Sequence, residues 1–355
     1  MAEHVSLSKI AIVTEGGSQI GFGHIYRSIN LAEQLRSDAI PLFLTQSDES
    51  VASRIRHFGF RTTRCKTNEE ILDTLSQIKP TVVVFDEPHL SATLIRSTRA
   101  ALGETRIIVF DNFFTPAVNR CIDIIVNALT SRDFKNEFIN DEDSNTRYYF
   151  GPRYLVLKDD FFLDSFEQQT QARYSHKKTV LLTFGGGDYA DLTTRALNHI
   201  LKLNEEMRIQ ILIGPGYTHL KKLNAVIQAN QDYRGHIEVD QDSTNMAERM
   251  RDADVIFTSP GLSMFEALRL RKPVIAVYQN ELQRADFKNF PLKCIVEQSD
   301  MSHMDALLED LEHFDQDSVD KLQIGEGRTE VLQAIRNLLA PSKYSISNQR
   351  TYQVK

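Results

Sequence analysis

Cysteine is scarce in this 355-residue chain. Only Cys65, Cys121 and Cys294 occur, and they are widely separated. No CxxC pair and no Cys/His metal spacing appears, and an odd, sparse set fits a reducing cytosol better than a disulfide framework. The three thiols read as small core residues of a protein in a reducing compartment. Long apolar runs are missing too: none approaches the roughly 20 residues needed to span a bilayer. The first ten residues, MAEHVSLSKI, have no basic region followed by an apolar core, so they are not a signal peptide. These absences predict a cytosolic protein whose membrane work, if any, is peripheral. Excess positive charge is also lacking. The net charge is −7, which argues against nucleic-acid binding, since that needs a basic face.

Composition is otherwise ordinary for a soluble globular protein, with 41% apolar and 25% charged residues. At roughly 100–200 residues per domain, the length predicts about two domains. Short apolar runs alternate with amphipathic stretches through the first half. Ile10–Val13, Pro41–Leu44, "TVVVFD" ending at Asp86, "RIIVFD" ending at Asp111 and "IDIIVN" read as strands. The alternation restarts at Lys178 with "TVLLTF", "RIQILIG", "GHIEVD", "DVIFTS" and finally "KPVIAVY". Continuous Val/Ile runs between helices predict parallel sheets covered on both faces. The expected class is α/β, as two doubly wound Rossmann-type units facing a cleft, spanning 1–155 and 175–340. Residues 131–146 read as a loop or linker, 166–178 as a helix or exposed connector, and 341–355 as a mobile tail.

In doubly wound sheets, ligands bind beyond the carboxyl ends of the strands. The unusual turns of this chain all fall there. The first is "GSQIGFGHIYRS". Gly21 and Gly23 let backbone approach a ligand, and the free N–H groups of a helix start favour anions. The spacing is not GxGxxG, so a dinucleotide fingerprint is weak. His24 falls in the first helical turn, where the neutral imidazole that a general base needs is favoured. A histidine that merely bonds backbone fits the same position. Arg27, three residues on, shares its helix side. It suits a phosphate, a carboxylate or plain solvent. Asp86 ends a buried strand and is well placed to orient His24 or a sugar hydroxyl. Asp111 reads as a turn or cap residue.

Three turns of the second half repeat the strand–glycine–helix device. "FGGGDYA" holds Gly186 and Gly187, fitting either a phosphate cradle or close packing across the cleft. Gly214 in "GPG" fits a nucleobase-side turn or a plain turn. In "TSPGLSMFEAL", Ser259, Gly261, Leu262 and Ser263 open a helix whose N–H groups can hold a diphosphate. Glu266 sits at capping-box spacing from Ser263, or accepts ribose hydroxyls. No GxSxG elbow, HExxH or paired-His spacing is present, and no metal or cofactor is expected.

These motifs, in this order, resemble the pseudaminic-acid pathway UDP-sugar hydrolases (PseG type), which are similar in fold to the GT-B glycosyltransferases, the MurG type included. "SQIGFGHIYRSINLAEQL", "GPRYLVLKDDF", "FGGGD" and Ser-x-Gly-x-Ser-x-x-Glu carry the resemblance over roughly Ile10 to Tyr278. Gly-x-Gly-His-x-x-Arg is its most specific part. The resemblance implies a metal-independent hydrolase without cofactor. His24 would activate water for inverting attack at the anomeric carbon of a UDP-sugar. UDP and a free amino-deoxy sugar would leave, in bacterial surface-glycan biosynthesis of the nonulosonic acid type. It implies that Gly261, Leu262, Ser263 and Glu266 bind diphosphate and ribose. It implies that Tyr154 and Lys158 in "YLVLKDD" line the interdomain region. Glu15, Arg27 and Asp86 are the expected sugar-positioning groups. Two departures stand out. Val13-Thr14-Glu15 lacks the family's first-strand arginine and has Glu15 in place of its aspartate. Gln279 and Asn280 reverse and offset the family's Asn-Gln pair. A GT-B glycosyltransferase and a catalytically silent nucleotide-sugar-binding homologue are the alternatives. The sequence leaves the sugar, the nucleotide, the acceptor and the oligomeric state open.

Overall fold

A computed structural model describes residues 7–17, 20–129, 133–162, 177–203, 205–241, 245–310 and 314–340. The first half builds one eight-stranded sheet. Its strands are β1 (Ser8–Thr14), β2 (Ala39–Thr45), β3 (Arg61–Arg64), β4 (Val82–Asp86), β5 (Arg106–Phe110), β6 (Ile124–Asn127), β7 (Glu137–Asp141) and β8 (Thr146–Phe150). Their spatial order is β3-β2-β1-β4-β5-β6-β8-β7. Every pairing is parallel except β7 with β8. The second half builds a six-stranded, wholly parallel sheet from β9 (Thr179–Leu182), β10 (Arg208–Ile213), β11 (His236–Gln241), β12 (Val255–Thr258), β13 (Val274–Val277) and β14 (Ile295–Val296). Its order is β11-β10-β9-β12-β13-β14.

Burial explains why these runs are strands. Val82 to Phe85 are 0% exposed, with alternate residues packed into two different core clusters, one on each face of the sheet. Burying each such side chain contributes roughly 1.5–3 kcal/mol. Both sheets reverse direction at their first strand, and the crevice of a doubly wound sheet opens at that switch point. In the first half, the switch lies between β1 and β4, which pair Thr14 against Asp86 at their carboxyl ends. In the second it lies between β9 and β12. The glycine loops leave the chain at these two places.

Several expectations need correction. The 131–146 segment is not all loop, because β7 lies inside it. That strand is almost wholly exposed and carries no apolar alternation. Backbone pairing to β8 and a turn in which Asp141 accepts from the N–H groups of Asp143 and Ser144 hold it instead. "KPVIAVY" is not the last strand, since the two-residue β14 follows it. The final helix, Arg328–Leu339, was expected in the second unit and lies against the first. Arg336 donates to Asp38 and to the Gln34 carbonyl, and Ser8 donates to the Leu339 carbonyl. Its apolar face, with Val331, Leu332 and Ile335, is buried there. The expected 166–178 connector falls almost entirely outside the described residues, and the 341–355 tail does so wholly. Among the described residues, no helix is long and apolar enough to cross a membrane.

Candidate active site

β1 ends at Thr14, and the chain turns back through a narrow loop. Gly17 and Gly21 exchange both backbone hydrogen bonds, at 2.9 and 2.8 Å. Gly21 has φ +82°, a left-handed conformation that a side chain would strain. The opening helix, Gly23–Leu35, starts two residues later. This places His24 in its first turn, directly above the end of β4.

His24 Nδ1 lies 2.6 Å from Asp86 Oδ1. With Nδ1–H donating to the carboxylate, Nε2 is left unprotonated as an acceptor. Asp86 is 1% exposed and serves several partners at once. Its Oδ2 accepts from Arg27 Nε at 2.9 Å and from Ser28 Oγ at 3.1 Å, and its Oδ1 accepts from Arg27 Nη2. Burial alone would raise the Asp86 carboxyl. The Arg27 charge and hydrogen bonds, helped by His24, hold it well below the usual carboxylate range instead. Arg27 is itself 1% exposed. It reaches Asp111 through Nη1 and lies 5.3 Å over the Phe110 ring. Burial disfavours its charge, but the two carboxylates outweigh that and raise it. Asp111 also accepts from Leu129 N at 3.0 Å. Two aspartates and one arginine leave the set with one net negative charge, which an imidazolium formed at His24 would balance.

The facing wall comes from the second half. Phe184 to Asp188 follow β9, and Ser259 to Ser263 follow β12. Gly261, with φ +150°, caps the helix Leu262–Arg269. Gln279 Nε2 ties the two loops together by donating to the Phe184 carbonyl and to Ser259 Oγ, both at 2.9 Å. Asp188 accepts from Leu192 N and Thr193 N at 2.8 and 2.9 Å, and so caps the helix Leu192–Lys202. Glu266 is 8% exposed, and burial pushes its carboxyl up to about 7 against the pull of Lys158.

The two walls enclose a cleft of about 780 Å³. Of the residues expected from sequence, His24, Gly21, Gly23 and Lys158 line it from the first half. Gly186, Gly187, Gly214, Ser259, Gly261, Leu262, Ser263 and Glu266 line it from the second. Four do not line it. Arg27 and Asp86 stand behind His24, buried. Glu15 is half-buried beside Glu87, off the cleft wall. Tyr154 is 5% exposed, because its ring packs edge-on to Tyr149 at 5.1 Å and lies against Gly327. Its expected place lining the interdomain region, as a substrate-binding residue, is corrected to a place in the core. Asp111, expected as a mere turn residue, lines the cleft and grips Arg27. The signal was present: like Asp86, it follows a phenylalanine at the end of a buried strand. Gln279 and Asn280 both line the cleft despite their reversed order. Among the described residues, no group of three His, Cys, Asp or Glu side chains stands ready to hold a metal ion.

No family model matches the chain. It is 36% identical over 336 residues to the uncharacterized protein MJ1062 of Methanocaldococcus jannaschii, covering 93% of this chain. The chain spans 66% of that relative's length, just under two thirds. It is 23% identical over 287 residues to the spore coat polysaccharide biosynthesis protein SpsG of Bacillus subtilis, covering 79% of this chain and 80% of that one. Among solved structures, the chain resembles Acinetobacter baumannii MurG with a TM-score of 0.58 at 16% identity, over 93% of this chain and 99% of that one. It resembles the calicheamicin glycosyltransferase CalG4 with a TM-score of 0.59 at 12% identity, over 95% and 99%. A third likeness is to Anabaena Alr3699/HepE in complex with UDP and glucose, with a TM-score of 0.51 at 9% identity, over 93% and 99%. The fold is therefore that of the GT-B glycosyltransferases: two parallel-sheet α/β domains with a cleft between them.

Proposed function

We propose that this chain is a metal-independent nucleotide-sugar hydrolase that releases UDP and a free amino-deoxy sugar. The observation that carries the reading is the His24–Asp86 pair. A cleft-lining imidazole has one nitrogen tied to a buried carboxylate and the other free to accept a proton. His24 Nε2 takes a proton from water. The water oxygen bonds to the anomeric carbon as the bond from that carbon to the UDP oxygen breaks. Attack from the face opposite UDP inverts the centre. The imidazolium balances the extra negative charge of Asp86, Asp111 and Arg27, and the developing diphosphate charge meets the N–H groups of the Leu262–Arg269 helix start. Glu266, when ionised, accepts the ribose hydroxyls, and Lys158 keeps its charge from standing alone. The likeness in fold to a protein solved with UDP and glucose, and the relation to a spore coat polysaccharide protein, support a nucleotide sugar and a glycan pathway.

A second reading, transfer to a sugar or lipid hydroxyl, is favoured by one observation. Ile20 and Phe113, both from the first half, are 43% and 52% exposed at the cleft. UDP release separates the two. Incubation with a panel of UDP-sugars and no acceptor should release UDP, and His24→Ala should slow that release by on the order of 10²–10⁴-fold, the contribution of a general base. Release that appears only with an added acceptor selects transfer. Release unchanged in His24→Ala removes the histidine from the mechanism.

A further inference from the structure

The opening helix starts on an unusual residue. Such positions favour Ser, Thr, Asp or Asn, whose side chains satisfy the first N–H groups. Here the cap is Phe22, and no side-chain cap bond is made. The ring is 4% exposed although it belongs to a loop that lines the cleft. Backbone of the other half is what covers it. A methyl group added at Gly186 would stand 2.6 Å from Phe22 Cβ and Cδ2, and one added at Gly216 would stand 2.9 Å from Cε2. Gly216 N donates to the Gly186 carbonyl at 2.8 Å, so the two glycines form one platform. Neither has a left-handed φ. Backbone conformation therefore does not demand glycine at either site; the ring does. Tyr26 flanks the ring from the helix, with centroids 6.3 Å apart.

We propose that Phe22 is a positioning residue, whose ring seated on bare backbone at Gly186 and Gly216 sets the spacing between His24 and the second-half loops. The inference rests on the reading of His24 as base and of those loops as the nucleotide side. His24 lies two residues beyond Phe22 at the start of the same helix. The loops beneath the ring run from Gly186 toward Asp188 and from Gly214 toward Tyr217. A ring that slides off the platform carries the helix start with it. Misplacement of a reacting group by about 1 Å costs on the order of 10²-fold in rate. The seat thus makes Gly186 of "FGGGD" and Gly216 of "GPG" a matter of interdomain fit.

A double-mutant cycle tests this. Phe22→Ala, Gly186→Ala and the combined variant are compared with the parent in kcat, KM and ligand-free melting temperature, with Phe22→Leu as the conservative replacement. Phe22→Ala should lower kcat by on the order of 10²-fold while KM stays within about threefold. Phe22→Leu should recover most of the loss. Gly186→Ala alone should lower both kcat and melting temperature, because its methyl displaces the ring. In the Phe22→Ala background that methyl is relieved of the ring atoms and meets only Cβ of residue 22, so its further effect should be clearly smaller than in the parent. Effects of the two substitutions that simply add, in rate and in melting alike, would overturn the proposal. So would a Phe22→Ala kcat equal to the parent's. Should the parent hydrolyse no UDP-sugar, the functional reading falls by itself. The ligand-free melting cycle then decides for the seat if coupled and against it if additive.

Discussion

At the scale of single residues, Asp86 holds the His24 side of the cleft together. It shares its two oxygens among His24, Arg27 and Ser28, all of them buried or half-buried. Asp86→Asn keeps the shape but lets the amide, not a carboxylate, face Nδ1. The imidazole then loses the partner that fixes its tautomer. The expected outcome is a fall in kcat on the order of 10²–10⁴-fold with KM nearly unchanged, read in steady-state kinetics. A variant that loses affinity at undiminished kcat would make Asp86 a binding group instead. The next residue, Glu87, carries a second expectation. It is 5% exposed, and its Oε1 has no hydrogen-bond partner among the described residues. Burial, with Glu15 and Asp86 nearby, pushes it up from its ordinary value of 4.5 to about 8. Below pH 4.5 the group is protonated whether the chain is folded or not. Between 4.5 and 8 the unfolded chain releases the proton and the folded chain does not, so stability falls as pH rises and levels off above about 8. Glu87→Gln lacks that titration. Its advantage over the parent should widen from pH 5 to pH 8 by on the order of 1–3 kcal/mol in denaturant melts. An equal difference at both pH values would contradict the assignment.

Elements differ in how plainly the sequence announces them. Strands with both faces covered, such as β4 and β12, read as unbroken apolar runs and were legible as such. β3, β7, β8 and β14 were not: these strands are short and mostly exposed or half-buried and are held by backbone pairing that no local pattern reveals, whereas the edge strand β11 did show in "GHIEVD". The glycine loops were legible in place but not in purpose. Their position after a strand and before a helix marked them, while the contact of Gly186 and Gly216 with Phe22 joins residues far apart in the chain. The Arg27–Asp111 ion pair was out of reach for the same reason: it joins residues 84 apart, and Arg27 alone looks like a surface arginine. Asp188 shows how one element serves another. It caps the Leu192–Lys202 helix and so holds the loop after β9 against the cleft. Asp188→Ala should destabilise the protein by about 1 kcal/mol. It should also weaken UDP binding in calorimetry. Weakened binding without lost stability would place Asp188 on the ligand itself.

For the whole molecule, the GT-B fold sets the division of labour. One half brings the His24–Asp86 pair to the cleft, the other presents helix-start N–H groups and the buried Glu266 carboxyl, and the final helix returns to the first half to complete it. The fold by itself does not choose between water and another hydroxyl, so the central claim is tested at the bond that breaks. Turnover of a UDP-sugar in ¹⁸O-enriched water, with no acceptor present, followed by mass spectrometry of both products, reads that bond directly. Attack by water at the anomeric carbon predicts UDP free of ¹⁸O together with one ¹⁸O per sugar released. Enriched UDP would mean attack at phosphorus, and no release at all without an acceptor would mean transfer; either result contradicts the account.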